Sequence, residues 1–247
     1  MAIALIDADI VAYRCAAVTE NESESIALHQ VDELMSRILS DTLANEYKAF
    51  LTGEGNFRRT INPDYKANRK DKPKPKHLKI CQDFLQEEWN AEWCVGYEAD
   101  DALGINATDK TIICSIDKDL LMIPGLHYNF VKQMFIDVNE LSGIKHFWKQ
   151  MLIGDTSDNI KGVDKIGPVK AAKLIDYQEY EMDMFKTVYD IYQDRSRFEM
   201  NADCLWIWRK EGETWTKRNS GLVDDYEASL QQQLEEDSED ILQSLTS

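Results

Sequence analysis

The chain has 247 residues, 28 Lys and Arg against 45 Asp and Glu, and a formal net charge of −17. This length supports one domain of moderate size, and 43% hydrophobic residues without an apolar run near the roughly 18 residues of a membrane span argue against disordered and transmembrane chains. Taken alone, the charge also argues against nucleic acid or another polyanion as a partner.

The N-terminal residues and the cysteines indicate the compartment. The opening stretch carries acids among its apolar residues and no basic leader, unlike a signal peptide, so we expect a cytoplasmic protein with no membrane partner. The five cysteines lack Cys-x-x-Cys spacing. We therefore expect buried free thiols rather than disulfides or zinc ligands.

The first 150 residues alternate short apolar runs with amphipathic helical patterns. The runs typical of buried strands cover residues 3–6, 47–51, 92–95, 111–116 and 126–131. The helical patterns cover residues 25–43, 77–88, 99–107 and 139–153. This alternation predicts an α/β fold with a central, mainly parallel sheet flanked by helices.

After residue 153 the strand patterns stop, and helices are predicted over residues 168–177 and within 182–207. From Asp224 onward there are eight acids and no base. The spacing of leucines there leaves two structures open, a short amphipathic helix and a solvated tail.

Positive charge is concentrated in residues 58–79, which carry nine basic residues and two acids, a local net charge of +7. Charges more than about 10 Å apart are screened at physiological salt, so a ligand at this segment would feel the local sign. Within it, the Pro- and Lys-rich residues 71–77 are predicted to form an exposed connection, because they suit neither a helix interior nor a central strand. The net charge therefore does not exclude DNA.

Acidic residues follow the predicted strands and open the helical region. They are Asp7, Asp9, Glu98, Asp100, Asp101, Asp117, Asp119, Asp155 and Asp158. Asp117 and Asp119 share one face if their strand continues, and Asp155 and Asp158 share one side if they lie on a helical turn. Because parallel strands end at the same edge of a sheet, we expect these carboxylates to converge.

Nine converging carboxylates repel one another unless cations lie among them. The histidines are scattered and the cysteines unspaced, so an all-oxygen site favours Mg²⁺ or Mn²⁺ over zinc. A single Asp after a strand is more often a helix cap or turn residue. Four separate acidic clusters together favour a shared metal site.

A second candidate site for an anion is the segment IKGVDKIGPVKAAK, residues 160–173. Gly162 and Gly167 permit tight turns, and Pro168 suits the first turn of a helix whose backbone N–H groups favour an anion. Four lysines add positive charge: Lys161, Lys165, Lys170 and Lys173. Such a loop would contact the DNA backbone and not the base edges.

Five motifs together resemble one known family. LIDADIVAYR, NFRRTINPDYKANRK, YEADDAL, SIDKDL and GDTSDNIKGVDKIGPVKAAKLI occur in the order found in 5′ nucleases, the flap endonucleases and 5′→3′ exonucleases, and are most similar to stand-alone phage exonucleases. They span most of residues 1–176. The resemblance implies a helical arch over the active site and a helix-three-turn-helix that grips duplex DNA.

The resemblance also implies residue roles. One group of metal ligands would be Asp7, Glu98, Asp100 and Asp101, and a second would be Asp117, Asp119, Asp155 and Asp158. Four side chains would act at the scissile phosphate, namely Tyr65, Lys66, Arg69 and Arg14, with the Tyr65 ring available to stack on an unpaired base. Further DNA contacts are predicted for Arg58, Arg59, Lys70, Lys161, Gly162, Lys165, Gly167 and Lys170.

Gly53 departs from the family pattern, because most relatives have an Asp there. Either the neighbouring Glu54 substitutes for it or the first group of metal ligands is one carboxylate poorer, and the sequence leaves both open. Asp9 lies where the family is variable, so its role also stays open.

The resulting hypothesis is a 5′→3′ exonuclease that uses two Mg²⁺ ions, replaceable by Mn²⁺, on DNA with a 5′ end, flap or nick. Flap endonuclease action, RNase H-like cleavage of RNA–DNA hybrids and K⁺ at the helix-three-turn-helix are variants that the resemblance leaves open. The alternatives are a PIN-like ribonuclease and a catalytically weak DNA-end-binding protein. The resemblance also suggests a role in phage DNA replication or host DNA degradation.

Three regions are predicted. Residues 1–150 form a catalytic core that includes a basic arch at 56–90, and residues 151–215 form a helical DNA-binding region with the helix-three-turn-helix at 155–176. Residues 216–247 form an acidic tail that we consider as a docking segment for a replication protein.

Overall fold

The computed structural model describes residues 2–70 and 72–246, with side chains described as far as residue 238. Six strands form the main sheet, and two short strands pair after it. The strands are β1 (Ile3–Asp7), β2 (Glu46–Thr52), β3 (Glu92–Cys94), β4 (Thr111–Cys114), β5 (Gly125–Asn129), β6 (Met134–Val138), β7 (Gly154–Asp155) and β8 (Ile160–Lys161).

Eleven helices are seen in the described residues. They are α1 (Ala8–Val18), α2 (Glu24–Thr42), α3 (Arg58–Ile61), α4 (Leu78–Trp89), α5 (Ala99–Asn106), α6 (Glu140–Ile153), α7 (Pro168–Ile175), α8 (Glu181–Tyr192), α9 (Arg195–Leu205), α10 (Trp215–Arg218) and α11 (Leu222–Thr246). Two short 3₁₀ turns, Ala67–Arg69 and Asp119–Met122, lie between them.

The main sheet has the strand order β3-β2-β1-β4-β5-β6. Its first five strands are parallel, and β6 is antiparallel to β5 at the edge. This topology confirms the predicted α/β class with a mainly parallel sheet. Because the strands run in one direction, β1, β2, β3 and β4 all end at the same edge of the sheet.

Helices cover both faces of the sheet. Successive residues of β1 point to opposite faces, so Ile6 packs with α1, α2 and α4, while Leu5 packs with the helices on the other side. The hydrophobic cluster that contains Leu5 continues past residue 150, since Trp148 contacts Phe185 and Phe198. The predicted helical region therefore shares one hydrophobic core with the catalytic core. All five cysteines are buried and unpaired, as predicted.

Several elements were absent from the sequence prediction, namely α1, α3, α10, β6 and the β7–β8 pair, which lies beyond residue 153 where no strand was predicted. Helix α1 follows β1 directly, so its apolar residues extend the run that predicts the strand. Strand β6 is almost entirely exposed and lacks the buried alternation of a typical half-buried strand. No described helix is long and apolar enough to cross a membrane.

The segment predicted as an arch, residues 56–90, has two parts. Helix α4 packs against α1 and α2 and buries Cys81 and Leu85, so it belongs to the core. In the described residues between α3 and α4, the 3₁₀ turn Ala67–Arg69 is the only helical structure. The structure therefore gives this stretch a short connection and a core helix in place of long helices over the sheet edge.

The acidic tail forms helix α11 of 25 residues, which is helical like the first structure left open by the sequence but is longer than the short helix expected there and is solvated like the second. Val223 is buried in the core, whereas residues 227–238 are exposed. The helix thus begins on the body of the protein and continues into solvent.

Candidate active site

The acidic edge of the sheet, as we name the region around the ends of β1, β2 and β4, begins with Asp7. Asp7 Oδ1 accepts a hydrogen bond from Ile10 N at 3.1 Å and caps α1, while Oδ2 accepts one from Ser115 Oγ at 2.7 Å. Ser115 follows β4, the neighbour of β1 in the sheet. These bonds hold the Asp7 carboxylate between two parallel strands.

Asp117 and Asp119 reach the edge by a turn and not by a continuing strand. Strand β4 ends at Cys114, and Asp117 Oδ1 accepts a hydrogen bond from Asp119 N at 2.9 Å. The prediction that they share a strand face was wrong, because the backbone turns after Ser115. Both nevertheless lie close enough to the other acids to alter their proton affinity.

Asp155 and Asp158 lie on the turn between β7 and β8, so the predicted helical turn was also wrong. Asp155 Oδ1 accepts hydrogen bonds from Ser157 N, Ser157 Oγ and Asp158 N, which shape that turn. Asp155 is 5% exposed, and its other oxygen, Oδ2, is buried without a hydrogen-bond partner among the described residues. A buried carboxylate oxygen without a partner requires a proton or a cation.

The carboxylates at this edge outnumber the basic side chains beside them, although Lys118 pairs with Asp119 at 3.1 Å. Burial and then the neighbouring Asp9 raise the pKa of Asp7 to about 7. Burial and the adjoining carboxylates of Asp155 and Asp117 likewise raise the pKa of Asp119 to about 7. Asp100 is shifted further, its pKa being raised well above the ordinary value by burial and then by Asp7 and Asp117. These three carboxylates thus resist ionising while their neighbours are charged. Asp155 differs, because burial is outweighed by hydrogen bonds with Asp119 and Ser157, which lower its pKa to about 2.

Lys66 and Tyr65 lie across part of this edge. Lys66 Nζ donates to Glu98 at 2.5 Å and lies 3.7 Å from Asp158. Tyr65 Oη donates to Glu98 at 2.9 Å and to Asp158 at 2.7 Å. Although burial alone would raise it, Lys66 and then Arg58 hold the pKa of Glu98 below its ordinary value. The Tyr65 ring is 3% exposed, which contradicts its predicted role as a stacking surface.

The residues around Lys66 are fastened to the β7–β8 turn by main-chain contacts. Lys66 N donates to Asp158 O at 2.9 Å, Asn68 Nδ2 to Thr156 O at 2.7 Å and Arg69 Nε to Ser157 O at 2.8 Å. Arg69 also pairs with the Asp158 carboxylate at 2.6 Å. The basic segment and the turn that carries two candidate ligands therefore form one unit.

Asp101 and Arg58, predicted to contact a metal ion and DNA respectively, form a buried pair beside Glu98, whose carboxylate lies 3.9 Å from Arg58 Nη1. They are 0% and 2% exposed and are joined by two hydrogen bonds of 2.6 and 2.8 Å. Asp101 also accepts from Glu98 N and Trp208 N, and Arg58 donates to two backbone carbonyls. With every oxygen and most N–H groups satisfied inside the protein, the pair has a structural role.

The remaining predicted phosphate contacts lie on the surface. Arg59, in α3, and Lys70, directly after the 3₁₀ turn Ala67–Arg69, are both exposed. Arg14 is exposed on α1, and no side chain within residues 2–70 and 72–238 forms an ion pair with it. The structure therefore does not bring Arg14 into contact with the acidic edge.

The predicted helix-three-turn-helix segment, 155–176, contains only its second helix, α7. The helix before it is α6, and the connection holds the β7–β8 pair and a loop ending at Gly167. A side chain at Gly162 would collide with the backbone of Ile153 and Gly154, so glycine is required where the loop crosses α6. Gly167 precedes α7 and is exposed, as are four basic side chains of the segment: Lys161, Lys165, Lys170 and Lys173.

Two hydroxyl groups that support the acids were not identified from the sequence. Ser115 donates to Asp7, and Thr52 at the end of β2 contacts Asp9 through its backbone N–H and side chain. A Ser or Thr at the carboxyl end of a strand beside acidic strand ends is the signal that identifies them. Such groups orient carboxylates that hold a metal ion.

The donor set suits a hard divalent cation, since it consists of carboxylates that outnumber the nearby basic side chains and includes one buried oxygen without a partner. No three acidic, histidine or cysteine side chains in the described parts of the chain stand ready to enclose an ion. Glu98 and Asp158, two candidates, are instead bound by Lys66, Tyr65 and Arg69. A cation held by Glu98 and Asp158 would have to displace Lys66 from them.

Comparison with known proteins assigns a family to residues 2–148, which match the model of the 5′-3′ exonuclease N-terminal resolvase-like domain. The chain is 28% identical over 223 residues to a 5′-3′ exonuclease of Buchnera aphidicola subsp. Schizaphis graminum, covering 80% of this chain and 75% of that protein. It is 31% identical over 155 residues to a 5′-3′ exonuclease of Bacillus subtilis, but that match spans only 50% of the Bacillus protein and 52% of this chain.

Among solved structures, the chain is similar to the T5 D15 protein crystallised with metal ions, with a TM-score of 0.63 and 16% sequence identity. The match covers 81% of this chain and 88% of that one. At this identity the similarity concerns the fold, and it agrees with the parallel sheet and flanking helices described above.

Proposed function

The chain belongs to the 5′-3′ exonuclease family of hydrolytic nucleases, and we propose that it cleaves phosphodiester bonds of DNA at 5′ ends and flaps with divalent metal ions. The observation that carries the proposal is the acidic edge, where Asp7, Asp100 and Asp119 are crowded together and carry more negative charge than the nearby Lys66 and Lys118 neutralise.

We propose that Mg²⁺ is the ion, with Mn²⁺ able to replace it. Asp7, Glu98 and Asp100 would hold one ion. Asp117, Asp119, Asp155 and Asp158 would hold the other. When bound, such ions make an attacking water more acidic and neutralise charge on the phosphate and on the leaving oxygen. Glu98 and Asp158 become available only when Lys66 and Tyr65 release them.

In this proposal Lys66 has two positions. Without ions it neutralises Glu98 and Asp158, and with ions bound it is repelled from them and faces the phosphate. A fixed positive charge beside the scissile phosphate stabilises the charge that builds up in the transition state. Arg69 extends the same positive surface, and Arg59 and Lys70 lie where a DNA strand would enter.

The α6–α7 connection is the proposed grip on duplex DNA. The exposed N-terminus of α7 and the lysines around it present N–H groups and positive charge to a phosphate backbone. Such contacts fix the position of a duplex without reading its sequence. A K⁺ ion at this connection and action on RNA–DNA hybrids are further parts of the proposal, as is the docking of a replication protein on the acidic helix α11.

The test compares 5′-labelled and 3′-labelled DNA duplexes, DNA flaps, single-stranded RNA and RNA–DNA hybrids, with Mg²⁺, with Mn²⁺ and with EDTA. We expect metal-dependent release of 5′ label from duplex and flap DNA. Cleavage of RNA alone would favour a PIN-like ribonuclease. Binding of DNA ends without cleavage at any Mg²⁺ or Mn²⁺ concentration would favour a DNA-end-binding protein.

A further inference from the structure

The carboxyl end of β2 lacks an acidic side chain that reaches the acidic edge. At Gly53 an added Cβ would lie 2.5 Å from Cys94 O, and Gly53 N donates to that same oxygen at 2.8 Å. The backbone therefore excludes any side chain at this position unless β3 shifts. Glu54 is exposed, and its contribution in the described structure is a backbone hydrogen bond to Gly96 N.

Asp9 brings a carboxylate to this place from a different element. It lies in the first turn of α1, and its Oδ2 accepts a hydrogen bond from Thr52 N, at the end of β2, at 2.9 Å. The Thr52 side chain in turn accepts from Ala99 N at 2.9 Å, in the helix that carries Asp100. Asp9 is thus fixed among the ends of β1, β2 and the start of α5.

The charges around Asp9 are those of the first proposed group of ligands. Asp9 follows Asp7 by two residues, and the bond from Thr52 N holds its carboxylate beside the residue that binds Ala99 N, directly before Asp100. Within the described residues, Thr52 is the only residue that donates a hydrogen bond to it. A carboxylate held by one residue at one side retains lone pairs for a cation on the other.

We propose that Asp9 is a ligand of the divalent ion held by Asp7, Glu98 and Asp100, and that it supplies from α1 the carboxylate that β2 does not carry at Gly53. This inference rests on the proposed metal-dependent function. It also settles the choice left open by the sequence, because it makes the first group of ligands complete without Glu54.

The alternative role for Asp9 is purely structural, as the acceptor for Thr52 N–H. Two substitutions separate the roles. Asp9→Asn keeps an oxygen that accepts from Thr52 N–H but removes the charge, whereas Asp9→Glu keeps the charge on a longer side chain. A ligand role predicts that Glu preserves ion binding better than Asn, and a structural role predicts the reverse order.

The experiment titrates DNA-free protein with Mn²⁺ and follows the free Mn²⁺ signal by electron paramagnetic resonance. Thermal unfolding in EDTA shows whether each variant is folded. For D9N we expect an unchanged melting temperature in EDTA and a loss of Mn²⁺ affinity of about 10- to 100-fold at one site. D9E should recover part of that affinity, and the matched control Glu54→Gln should bind Mn²⁺ as the unaltered chain does.

Several outcomes would overturn the inference. D9N binding Mn²⁺ as tightly as the unaltered chain, while Asp100→Asn does not, would make Asp9 structural. Weakened binding in E54Q alone would assign the ligand to Glu54. Failure of the unaltered chain to bind Mn²⁺ would overturn both this inference and the metal-dependent function. Mn²⁺ binding by the unaltered chain without any DNA cleavage would overturn only the proposed reaction.

Discussion

Asp100 and Asp101 are adjacent in the chain and lie in the same turn of α5, yet only the charge of Asp101 is neutralised by a paired arginine. Asp101 is enclosed, accepts two hydrogen bonds from Arg58 and receives two backbone N–H groups as well. Asp100 faces Asp7 and Asp117, and its pKa is raised well above the ordinary value by burial and by those neighbours.

The contrast separates structural acids from acids that await a ligand. A buried carboxylate whose oxygens are satisfied within the protein stabilises one conformation and has no capacity for a cation. A carboxylate held among other carboxylates raises the free energy of the metal-free protein and can still bind a cation. The predictions below test that contrast from the largest expected effect to the smallest.

Loss of the buried Arg58–Asp101 pair should have the largest effect on stability. Arg58→Met leaves Asp101 charged and buried without its partner, so we expect the free energy of unfolding to fall by about 3–5 kcal/mol in urea titrations. The exposed Arg59 is the control, since Arg59→Met should change the free energy of unfolding by less than about 0.5 kcal/mol. Stability close to that of the unaltered chain in Arg58→Met would remove the distinction drawn here.

The unsatisfied acid should dominate turnover. Asp100→Asn keeps the shape of the side chain but removes a proposed ligand, so we expect the cleavage rate of 5′ flap DNA to fall by about 100-fold or more. Circular dichroism and DNA affinity should be retained. The exposed Asp109→Asn, near the other end of α5, is the matched control, and equal rates in both variants would contradict the assignment.

The acidic edge should make the metal-free protein sensitive to pH. Asp7 and Asp119 have pKa values of about 7 when folded against an ordinary 3.8, so folding favours their protonated forms. The stability that protonation contributes is present below about pH 4 and is lost as the pH rises through about 7. We expect a loss on the order of 2 kcal/mol across this window in EDTA.

Added Mg²⁺ should restore much of that stability at pH 8, because the ions compensate the ionised carboxylates. Asp119→Asn removes one of the two groups and should flatten the pH profile in EDTA. If the metal-free protein became more stable between pH 4 and 7, repulsion among the ionised carboxylates of the acidic edge would not be destabilising it. Thermal unfolding over this pH range supplies the measurement.

Lys66 should affect the chemical step more than binding. For Lys66→Ala we expect kcat on flap DNA to fall about 10-fold with a smaller change in Kd, because its charge acts on the transition state. Metal-free stability should also fall, because the buried Glu98 loses the nearest charge that neutralises it, so the kinetic comparison is made on variants shown to be folded. An effect confined to Kd would make Lys66 a docking residue.

The weakest effect is expected at the α6–α7 connection. Lys165→Gln with Lys170→Gln should leave kcat at saturating DNA unchanged and raise Kd severalfold. The plot of log Kd against log salt should lose a slope of about 1 for each phosphate contact removed. Lys110→Gln, an exposed lysine before β4, is the control. An unchanged slope in the double variant would place the duplex elsewhere.

Sequence patterns predicted the central sheet well, because β1, β4 and the second half of β2 are buried and leave short apolar runs. The sheet topology also places the acids that follow β1 and β4 at one edge, as expected of parallel strands, whereas Asp155 and Asp158 come from the β7–β8 pair. Helix α1 and strand β6 escaped prediction for local reasons. One continues the apolar run of β1 after Asp7, and the other lies exposed at the sheet edge.

The roles of Asp101 and Tyr65 could not be predicted, because each depends on partners distant in the chain. Asp101 differs from Asp100 only through Arg58, 43 residues earlier, and through the backbone at Trp208. The Tyr65 ring is buried because its hydroxyl bridges Glu98 and Asp158, which lie 33 and 93 residues away. Local sequence contains neither contact.

The fastening of residues 66–69 to the β7–β8 turn has a geometric consequence. Lys66 N, Asn68 Nδ2 and Arg69 Nε each donate to a main-chain oxygen of residues 156–158, a turn that lies in the α6–α7 connection. If duplex DNA binds at that connection as proposed, these bonds set the distance between the bound duplex and the phosphate beside Lys66. The position of cleavage would then depend on this distance along the DNA and not on the base sequence.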